Sequence, residues 1–348
     1  MADPVGLLRR SAIPLTIRTD SASYRDNLVG LRIETSTSRC CARSGVSQYR
    51  TTTLFLVLAF AWGSAFVAID AGLTYLPPVL FAAVRYDVAG VIMLAYALVV
   101  ADDPLPRGRQ AWLTVGAGAV LMIAVYHAFL FVGQLNTTAA AAAVLVSLSP
   151  VLTTGFARAL VPQDALSRIG VVGVGLGLVG VLVISRPDPS NVVTTDTVAN
   201  LLVFGAAAAF ALGSVLTRRL DADLEIEAME AWSMLGGAAI LHVLSAGLGE
   251  SFAIADWAHL EAIGALAYLS IFSSAIGFLI YFDLLDRLGA VEINMVSYVA
   301  PIVAAVVGWF YLDQPVDAAT VVGFVFIFCG FLLVKRRAIT RELAKLRA

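Results

Sequence analysis

The chain has 348 residues, of which 59% are apolar and only 14% are charged, and its formal net charge is −2. An average water-soluble domain is about 45–50% apolar and about 25% charged, so this composition, with a mean hydropathy of +0.87, excludes a soluble globular protein and indicates a surface that mostly faces lipid. No basic block points to a nucleic-acid partner.

Residues 1–50 are polar and rich in serine, threonine and arginine. They lack the apolar run of a secretory signal. We interpret them as a disordered cytoplasmic tail or as upstream sequence included through a misassigned start codon, and we favour the second. Cys40 and Cys41 are adjacent in this tail and Cys329 lies in an apolar stretch, a pattern that predicts neither disulfides nor a metal site. We expect no cofactor.

From Thr51 onward, apolar stretches of about 20 residues follow one another, which is the length that crosses a hydrocarbon core of about 30 Å. Turn-forming residues such as Pro77-Pro78 and Asp313-Gln314-Pro315 separate them. Strands are excluded because the stretches are long and do not alternate. The sequence therefore predicts an all-α integral membrane fold with about ten transmembrane helices, at 52–71, 78–100, 111–132, 137–159, 168–186, 199–218, 228–248, 260–285, 289–311 and 316–335.

The distribution of arginine and lysine predicts the orientation. If the first helix starts inside, almost all basic residues fall on the inner side and Arg186 alone falls outside. The positive-inside rule then places both termini in the cytoplasm and the protein in the plasma membrane. The inner basic residues are Arg107, Arg109, Arg158, Arg168, Arg218, Arg219 and Arg287 in the loops, and Arg50, Lys335, Arg336 and Arg337 in the tails.

The two halves of the chain resemble each other at a spacing of about 150 residues. Several anchors recur in order: Gly63-Ser64 with Gly213-Ser214, Pro150 with Pro301, Gly173 and Gly180 with Gly323 and Gly330, and Arg186 with Arg336. Five helices per half is an odd number, so the second half must enter the membrane inverted. This 5+5 inverted-topology repeat is typical of carriers that work by alternating access. It predicts repeats at 51–186 and 199–337, an external linker at 187–198 and a cytoplasmic tail at 338–348.

Several motifs make the chain resemble the EamA-like branch of the drug/metabolite transporter superfamily over about 52–337. They are Ala61-Trp62-Gly63-Ser64-Ala65-Phe66, Arg85, Ala139 to Ala143 leading to Pro150, Pro301 with Gly308, Leu312-Asp313-Gln314-Pro315, and the two glycine pairs. The resemblance implies ten helices, cytoplasmic termini and the transport of metabolites such as amino acids, often outward. The chain departs from the family pattern at Gln163 and Gln314, where a glutamate is usual; neighbouring Asp164 and Asp313 are candidate substitutes.

Ionisable residues inside the spans are costly to bury and therefore mark candidate sites. Arg85 lies about 10 Å down the second helix. It is a candidate anchor for a substrate carboxylate; the alternative is a structural clamp that pairs with Asp70 or Asp87 or binds backbone carbonyls. Asp87 is two residues further on and faces another side of the helix, so it needs water or another helix. His127 is a candidate proton relay, or a neutral histidine bonded across a helix interface.

A polar centre is predicted where the fourth and ninth helices carry proline. Ser147 with Pro150, and Asn294 and Tyr298 with Pro301, occupy matching places, and each proline frees a backbone carbonyl. The alternative is ordinary packing of kinked helices. Trp62 and Ser64 are further candidates to line the path. Asp87, His127 and Glu292 are candidates for proton coupling.

These features favour a secondary transporter of small polar metabolites, amino-acid-like or other organic solutes, that exports by alternating access. A proton or cation gradient and plain facilitated efflux are both open as its driving force. A membrane enzyme is the first alternative, but His127, His242 and His259 show no metal or catalytic spacing. A channel is the second, without a filter-like segment to support it. The sequence leaves a homodimer open.

Overall fold

Helices account for the regular secondary structure of the residues that the computed structural model describes, which are 34–160, 168–186, 194–220, 222–288 and 293–347. No strand occurs within these ranges. This agrees with the long apolar stretches of the sequence, because only a helix satisfies its own backbone polar groups in lipid. Glu292, Gln163 and Asp164 lie outside the described residues.

We number the helices along the chain. They are α1 (Glu34–Leu73), α2 (Pro78–Val100), α3 (Gly108–Ala117, Gly118–Val125 and Tyr126–Gln134 in succession), α4 (Ala139–Val146 and Ser149–Leu160), α5 (Arg168–Ser185), α6 (Thr195–Leu220), α7 (Ile226–Gly247), α8 (Leu260–Ala267, Tyr268–Ile276 and Gly277–Leu288), α9 (Val296–Leu312) and α10 (Ala318–Arg347); a single turn, Ile254–Trp257, precedes α8.

Seven segments of the described helices are long and apolar enough to cross a bilayer. They are Tyr49–Leu73, Pro78–Val100, Gly108–Gln134, Ala139–Leu160, Thr195–Leu220, Leu260–Leu285 and Ala318–Arg336. Ile169–Ser185 and Val296–Leu312 are apolar but shorter. The 22-residue helix α7 carries Glu227 and Glu230. The chain is thus an all-helical, multi-pass membrane protein, while the number of ten crossings stays a prediction.

Two helices contain a π-helical stretch, Gly118–Val125 in α3 and Tyr268–Ile276 in α8. The stretches begin at residues 118 and 268, so they recur at the spacing of the sequence repeat. Wide helical turns of this kind are rare and are frequent at functional sites. Nothing in the sequence indicated them.

Small residues allow α5 and α10 to pack closely. A Cβ atom added at Gly173 would lie 2.6 Å from the carbonyl oxygen of Gly330, and one added at Gly180 would lie 2.7 Å from that of Gly323. Close backbone approach through small residues is a common way for helices to associate in lipid. Gly173 and Gly180 of the first half therefore pack on Gly330 and Gly323 of the second half.

The two ends of the helical bundle differ in their polar residues. The basic end, as we call it, holds Arg107 and Arg218. There Trp232 Nε1 donates to the Pro104 carbonyl at 2.9 Å, and Gln110 donates to the Leu220 carbonyl. The other end, which we call the closed end, holds Asp70, Glu250 and Gln314. Glu250 accepts hydrogen bonds there from the first turn of α2, which fixes the start of that helix.

Candidate functional site

A cavity of about 1150 Å³ lies among the helices and continues to the basic end, where Arg218, Lys335 and Arg336 line it. Most of the wall is apolar, as in small-molecule sites in general. The polar and aromatic lining residues include Trp62, Arg85, Tyr86, Thr114, Tyr126, His127, Ser147, Ser149, Thr153, Thr154, Ser214, Thr217, Glu230, Ser273, Tyr281, Asn294 and Ser297.

Arg85 lines this cavity as a buried cation, with 6% of its surface exposed. Its Nε and Nη2 donate to Ser274 Oγ at 3.2 and 3.0 Å, and its guanidinium lies 5.1 Å from the centre of the Tyr86 ring. Among the described residues no carboxylate pairs with it. A guanidinium has five N–H donors, so one hydroxyl leaves most of its capacity unused. The arrangement leaves Arg85 open to an anion.

The two acids that the sequence offered as structural partners of Arg85 bind elsewhere, so that pairing is wrong. Asp70 accepts a hydrogen bond from Gln314 Nε2 at 2.5 Å. Asp87 lies 2.7 Å from Nε2 of His242 on α7. This second contact confirms that Asp87 requires another helix. Asp87 and His242 do not line the cavity, and about half of each side chain is exposed.

His127 forms a fully bonded pair with Tyr86. His127 Nδ1 lies 2.9 Å from the Ile123 carbonyl, and Nε2 lies 2.7 Å from the Tyr86 hydroxyl. Because a carbonyl can only accept, Nδ1 carries a proton. Tyr86 lies on another helix, so this contact is the interhelical bond that the sequence offered as the alternative to a relay.

The π-helical stretches supply the partners of both buried groups. Ile123, which binds His127, lies in the stretch of α3, and Ser274, which binds Arg85, lies in the stretch of α8. Helix α1 contacts the second stretch as well: Trp62 Nε1 donates to the Ser273 carbonyl at 3.2 Å, and Ser64 Oγ lies 2.6 Å from the Tyr268 hydroxyl. Trp62 lines the cavity, whereas Ser64 does not.

Helix α4 is interrupted next to Pro150, as the proline pattern predicted. Ser147 and Pro150 both line the cavity. The proline ring cannot donate to the carbonyl of Val146, and Ser149 Oγ donates to it instead at 2.7 Å. The break therefore presents polar backbone inside the bundle without leaving this carbonyl unsatisfied.

The matching region of α9 differs from the prediction. Asn294 lies in the turn before α9, which begins at Val296, and not inside the ninth helix predicted at 289–311. Asn294 and Ser297 line the cavity, but Tyr298 and Pro301 do not. Tyr298 is buried against Phe331, with ring centres 4.3 Å apart. Helical spacing from Asn294 to Tyr298 does not apply because the helix starts between them.

Of the candidate residues, the structure brings six together around the cavity and places four elsewhere. The cavity holds Trp62, Arg85, His127, Ser147, Pro150 and Asn294; Ser64, Asp87, Tyr298 and Pro301 lie outside it. Sequence reasoning missed Tyr86, Tyr126, Glu230 and Ser274. Glu230 lies inside the seventh predicted helix, 228–248, and an acid within an apolar span was the signal that could have found it.

Polar contacts join the helices at the closed end. Besides its bond to Asp70, Gln314 accepts from the Ala139 amide at 3.2 Å. Gln134 Nε2 donates to the Phe66 carbonyl at 2.5 Å, and Thr137 Oγ1 donates to Asn200 at 2.6 Å. These contacts link α1, α3, α4 and α6 on the side of Arg85 away from the cavity mouth.

Two surface contacts at the closed end shift the pKa of their members. Tyr75 donates to Glu261 at 2.7 Å, and this hydrogen bond to a carboxylate raises the pKa of Tyr75. Asp317 pairs with Arg186 at 2.7 Å and accepts from the Thr320 amide at 2.7 Å. Partial burial alone would raise the pKa of Asp317, but the Thr320 hydrogen bonds and Arg186 together hold it below its ordinary value of 3.8.

Comparison with known proteins gives consistent matches along the chain. Residues 50–186 and 197–336 each match the sequence model of the EamA-like transporter family. An uncharacterized transporter of Bacillus subtilis, YvbV, is 26% identical over 295 residues, which is 85% of this chain and 94% of YvbV. The protein PecM of Dickeya dadantii is 28% identical over 278 residues, covering 79% of this chain and 88% of PecM.

A plant protein and a crystal structure extend the likeness. A chloroplastic WAT1-related protein of Arabidopsis thaliana is 26% identical over 290 residues, 80% of this chain and 68% of its own length. One crystal structure superposes with a TM-score of 0.59 at 21% identity, covering 85% of this chain and 99% of the other. At 21% identity this match shows a shared fold only.

Proposed function

We propose, from the premise that the chain belongs to the EamA-like transporter family, that it carries small polar metabolites, amino-acid-like or other organic solutes, by alternating access. The family makes the chain a membrane transporter of small molecules and not an enzyme. The solute class, the direction and the mechanism are our proposal. The observation that carries it is Arg85, a buried cation that lines the cavity without a carboxylate partner among the described residues.

A buried charge without a partner is costly, so a protein retains it when a ligand supplies the opposite charge. Arg85 is reached through a cavity large enough for a metabolite and open at one end of the bundle. The planar guanidinium suits a carboxylate, which it binds through two parallel hydrogen bonds. We therefore assign Arg85 as the anchor of a solute that carries a carboxylate. Trp62, Ser147 and Asn294 are the neighbouring contacts.

The proposed architecture is ten crossings in a 5+5 inverted repeat. Three observations support it. The family model matches twice along the chain, the π-helical stretches recur at the spacing of the repeat, and the paired glycines of the two halves pack on each other. Repeats related by an axis in the membrane plane are the usual basis of alternating access.

The contrast between the two ends of the bundle supports an alternating-access cycle. The cavity continues to the basic end, while hydrogen bonds join the helices at the closed end. If the positive-inside rule holds, the basic end faces the cytoplasm, and this conformation receives solute from inside the cell. We propose export across the plasma membrane, driven by an ion gradient, with the closed end opening in the second half of the cycle.

The proposal is tested by solute binding to the purified full-length chain. A panel of carboxylated solutes, each beside its neutral amide, is screened for thermal stabilisation. We expect hits among the carboxylates only. Loss of one partner of a buried charge pair costs about 2–5 kcal/mol, so Arg85→Ala should weaken binding of a hit by about 30-fold or more.

The matched control is Arg287→Ala, which removes an exposed arginine that pairs with Asp283 at 2.8 Å. It should leave binding unchanged. Equal binding of carboxylate and amide, or unaltered binding by Arg85→Ala, contradicts the assignment. In proteoliposomes, a hit should show saturable flux and counterflow, which a channel would not show.

A further inference from the structure

Glu230 is the one carboxylate among the described residues that line the cavity. Only 6% of its surface is exposed. Within the described part of the chain it has neither a hydrogen-bond partner nor an ion pair. It lies four residues into α7, about 6 Å from the start of that helix at the basic end. An ionisable group in such a place marks a functional site by default.

The depth of Glu230 separates it from the solute anchor. Arg85 lies about 10 Å from the start of α2 at the closed end. Helices α2 and α7 pack against each other and have 23 and 22 residues, a length of about 33 Å. The backbone positions of Arg85 and Glu230 are therefore about 17 Å apart along the bundle.

None of the cations that line the cavity forms an ion pair with Glu230 within the described residues. The other charged and titratable residues that line the same cavity are Arg85 and Tyr86 on α2, Tyr126 and His127 on α3, Arg218 on α6, Tyr281 on α8, and Lys335 and Arg336 on α10. Arg218 donates its Nε to the Ser214 carbonyl at 3.2 Å. Tyr86 and His127 bind each other. On the α2–α7 interface, the remaining pair is Asp87 with His242, which lies outside the cavity.

We infer that Glu230 is a proton-binding site through which this transporter is coupled to a proton gradient. The inference rests on the proposed function. An ionised carboxylate without a partner is costly in the membrane interior, and uptake of one proton removes that cost. In this conformation the open cavity joins Glu230 to the solution at the basic end. A cycle that opens the closed end instead exposes Glu230 to the other solution, so one proton crosses per cycle.

The first experiment needs no solute. Infrared difference spectra of the full-length chain in lipid nanodiscs are recorded between two pH values that bracket the transport assay. We expect a carboxyl band in wild type that Glu230→Gln lacks and that the control Glu261→Gln retains. Glu230→Asp keeps the acid on a shorter side chain and should shift this band without abolishing it. A wild-type band that persists in Glu230→Gln overturns the inference.

The second experiment uses a hit from the solute panel in proteoliposomes. An imposed pH gradient should stimulate wild-type transport. As solute moves, the pH inside the vesicles should change, which a trapped pH-sensitive dye reports. Glu230→Gln should keep counterflow and lose both effects. Retained stimulation in Glu230→Gln overturns the inference. Loss of counterflow as well overturns it too, because Glu230 would then bind the solute itself.

The two proposals fail separately. If no carboxylated solute binds but the infrared band depends on Glu230, the solute assignment at Arg85 fails and the proton site stands. If solutes bind at Arg85 and Glu230→Gln changes neither the band nor the coupling, the carrier stands without this proton site.

Discussion

The closed end and the cavity differ in whether their charged side chains have partners in the protein. At the closed end, Asp70 binds Gln314, Glu250 binds the first turn of α2, Glu261 binds Tyr75 and Asp317 binds Arg186. In the cavity, Arg85 donates to one hydroxyl and lies against the Tyr86 ring, and neither Arg85 nor Glu230 has a partner of opposite charge among the described residues. The four acids of the closed end are thus satisfied by the protein itself, whereas Arg85 and Glu230 have no partner of opposite charge in the described part of the chain.

This difference defines two classes of charged residue. Structural charges bind other helices, and ligand-binding charges have no partner of opposite charge in the protein. A satisfied acid contributes to stability, and its removal should lower the unfolding temperature. An unsatisfied charge costs stability, so its removal should leave folding intact and abolish function. Each of the following predictions tests whether a residue belongs to the class in which the structure places it.

The largest effect is expected for Asp70→Ala, which removes the partner of Gln314. A hydrogen bond to a charged group contributes about 1.5–3 kcal/mol. The variant should lower the thermal unfolding temperature and loosen the closed end. Ile69→Cys, in a background without Cys40, Cys41 and Cys329, reports the second change, because Ile69 is buried and lines the cavity. A membrane-impermeant thiol reagent added at the closed end should label it faster.

Asp103→Ala is the matched control for this prediction. Asp103 pairs with Arg107 at 3.0 Å on the exposed surface of the basic end, where such pairs contribute about 0–1 kcal/mol. It should change neither stability nor labelling. If Asp70→Ala labels no faster than this control, the contact between Asp70 and Gln314 does not hold the closed end shut.

A smaller effect is expected for Glu250→Ala. Glu250 accepts from the Val79 and Leu80 amides at 3.1 and 2.8 Å and from Ser245 Oγ at 2.7 Å. It therefore satisfies two free donors at the start of α2, a role that contributes about 1 kcal/mol, with a further stabilisation of its charge by the helix dipole. Thermal unfolding should show the loss while solute binding stays normal.

Asp196→Ala serves as the control for Glu250, since Asp196 is an exposed acid in the first turn of α6. Glu250→Gln should fall between wild type and Glu250→Ala, because it keeps an acceptor oxygen without the charge. If Glu250→Ala is as stable as Asp196→Ala, the hydrogen bonds of Glu250 do not stabilise the start of α2.

The sequence predicted the helices and much of the cavity, and the reasons for its failures are physical. Arg85, His127, Ser147 and Pro150 were found because ionisable residues and helix breaks within an apolar span require a polar environment. Ser274 was not found, because contacts between helices depend on helix rotation, which a π-helical stretch changes. Neither the start of α9 after Asn294 nor the pairing of Asp70 with Gln314 can be read from spacing along one helix.

The smallest effect is expected at Asp317, where the pairing is exposed. Because the folded pKa of Asp317 lies below the ordinary value of 3.8, the ionised form stabilises the protein. This contribution is complete above the unfolded pKa and is lost as the pH falls through the folded pKa.

Asp317→Asn keeps an oxygen to accept from Thr320 but loses the pairing with Arg186. Both side chains of that pair are about half exposed, so the difference should be below about 1 kcal/mol. The unfolding temperatures of wild type and Asp317→Asn should differ at pH 7, and the difference should shrink only as the pH falls below about 4 and through the folded pKa. A difference that persists in acid would mean that Asp317 acts through its hydrogen bonds to the start of α10 and not through its charge.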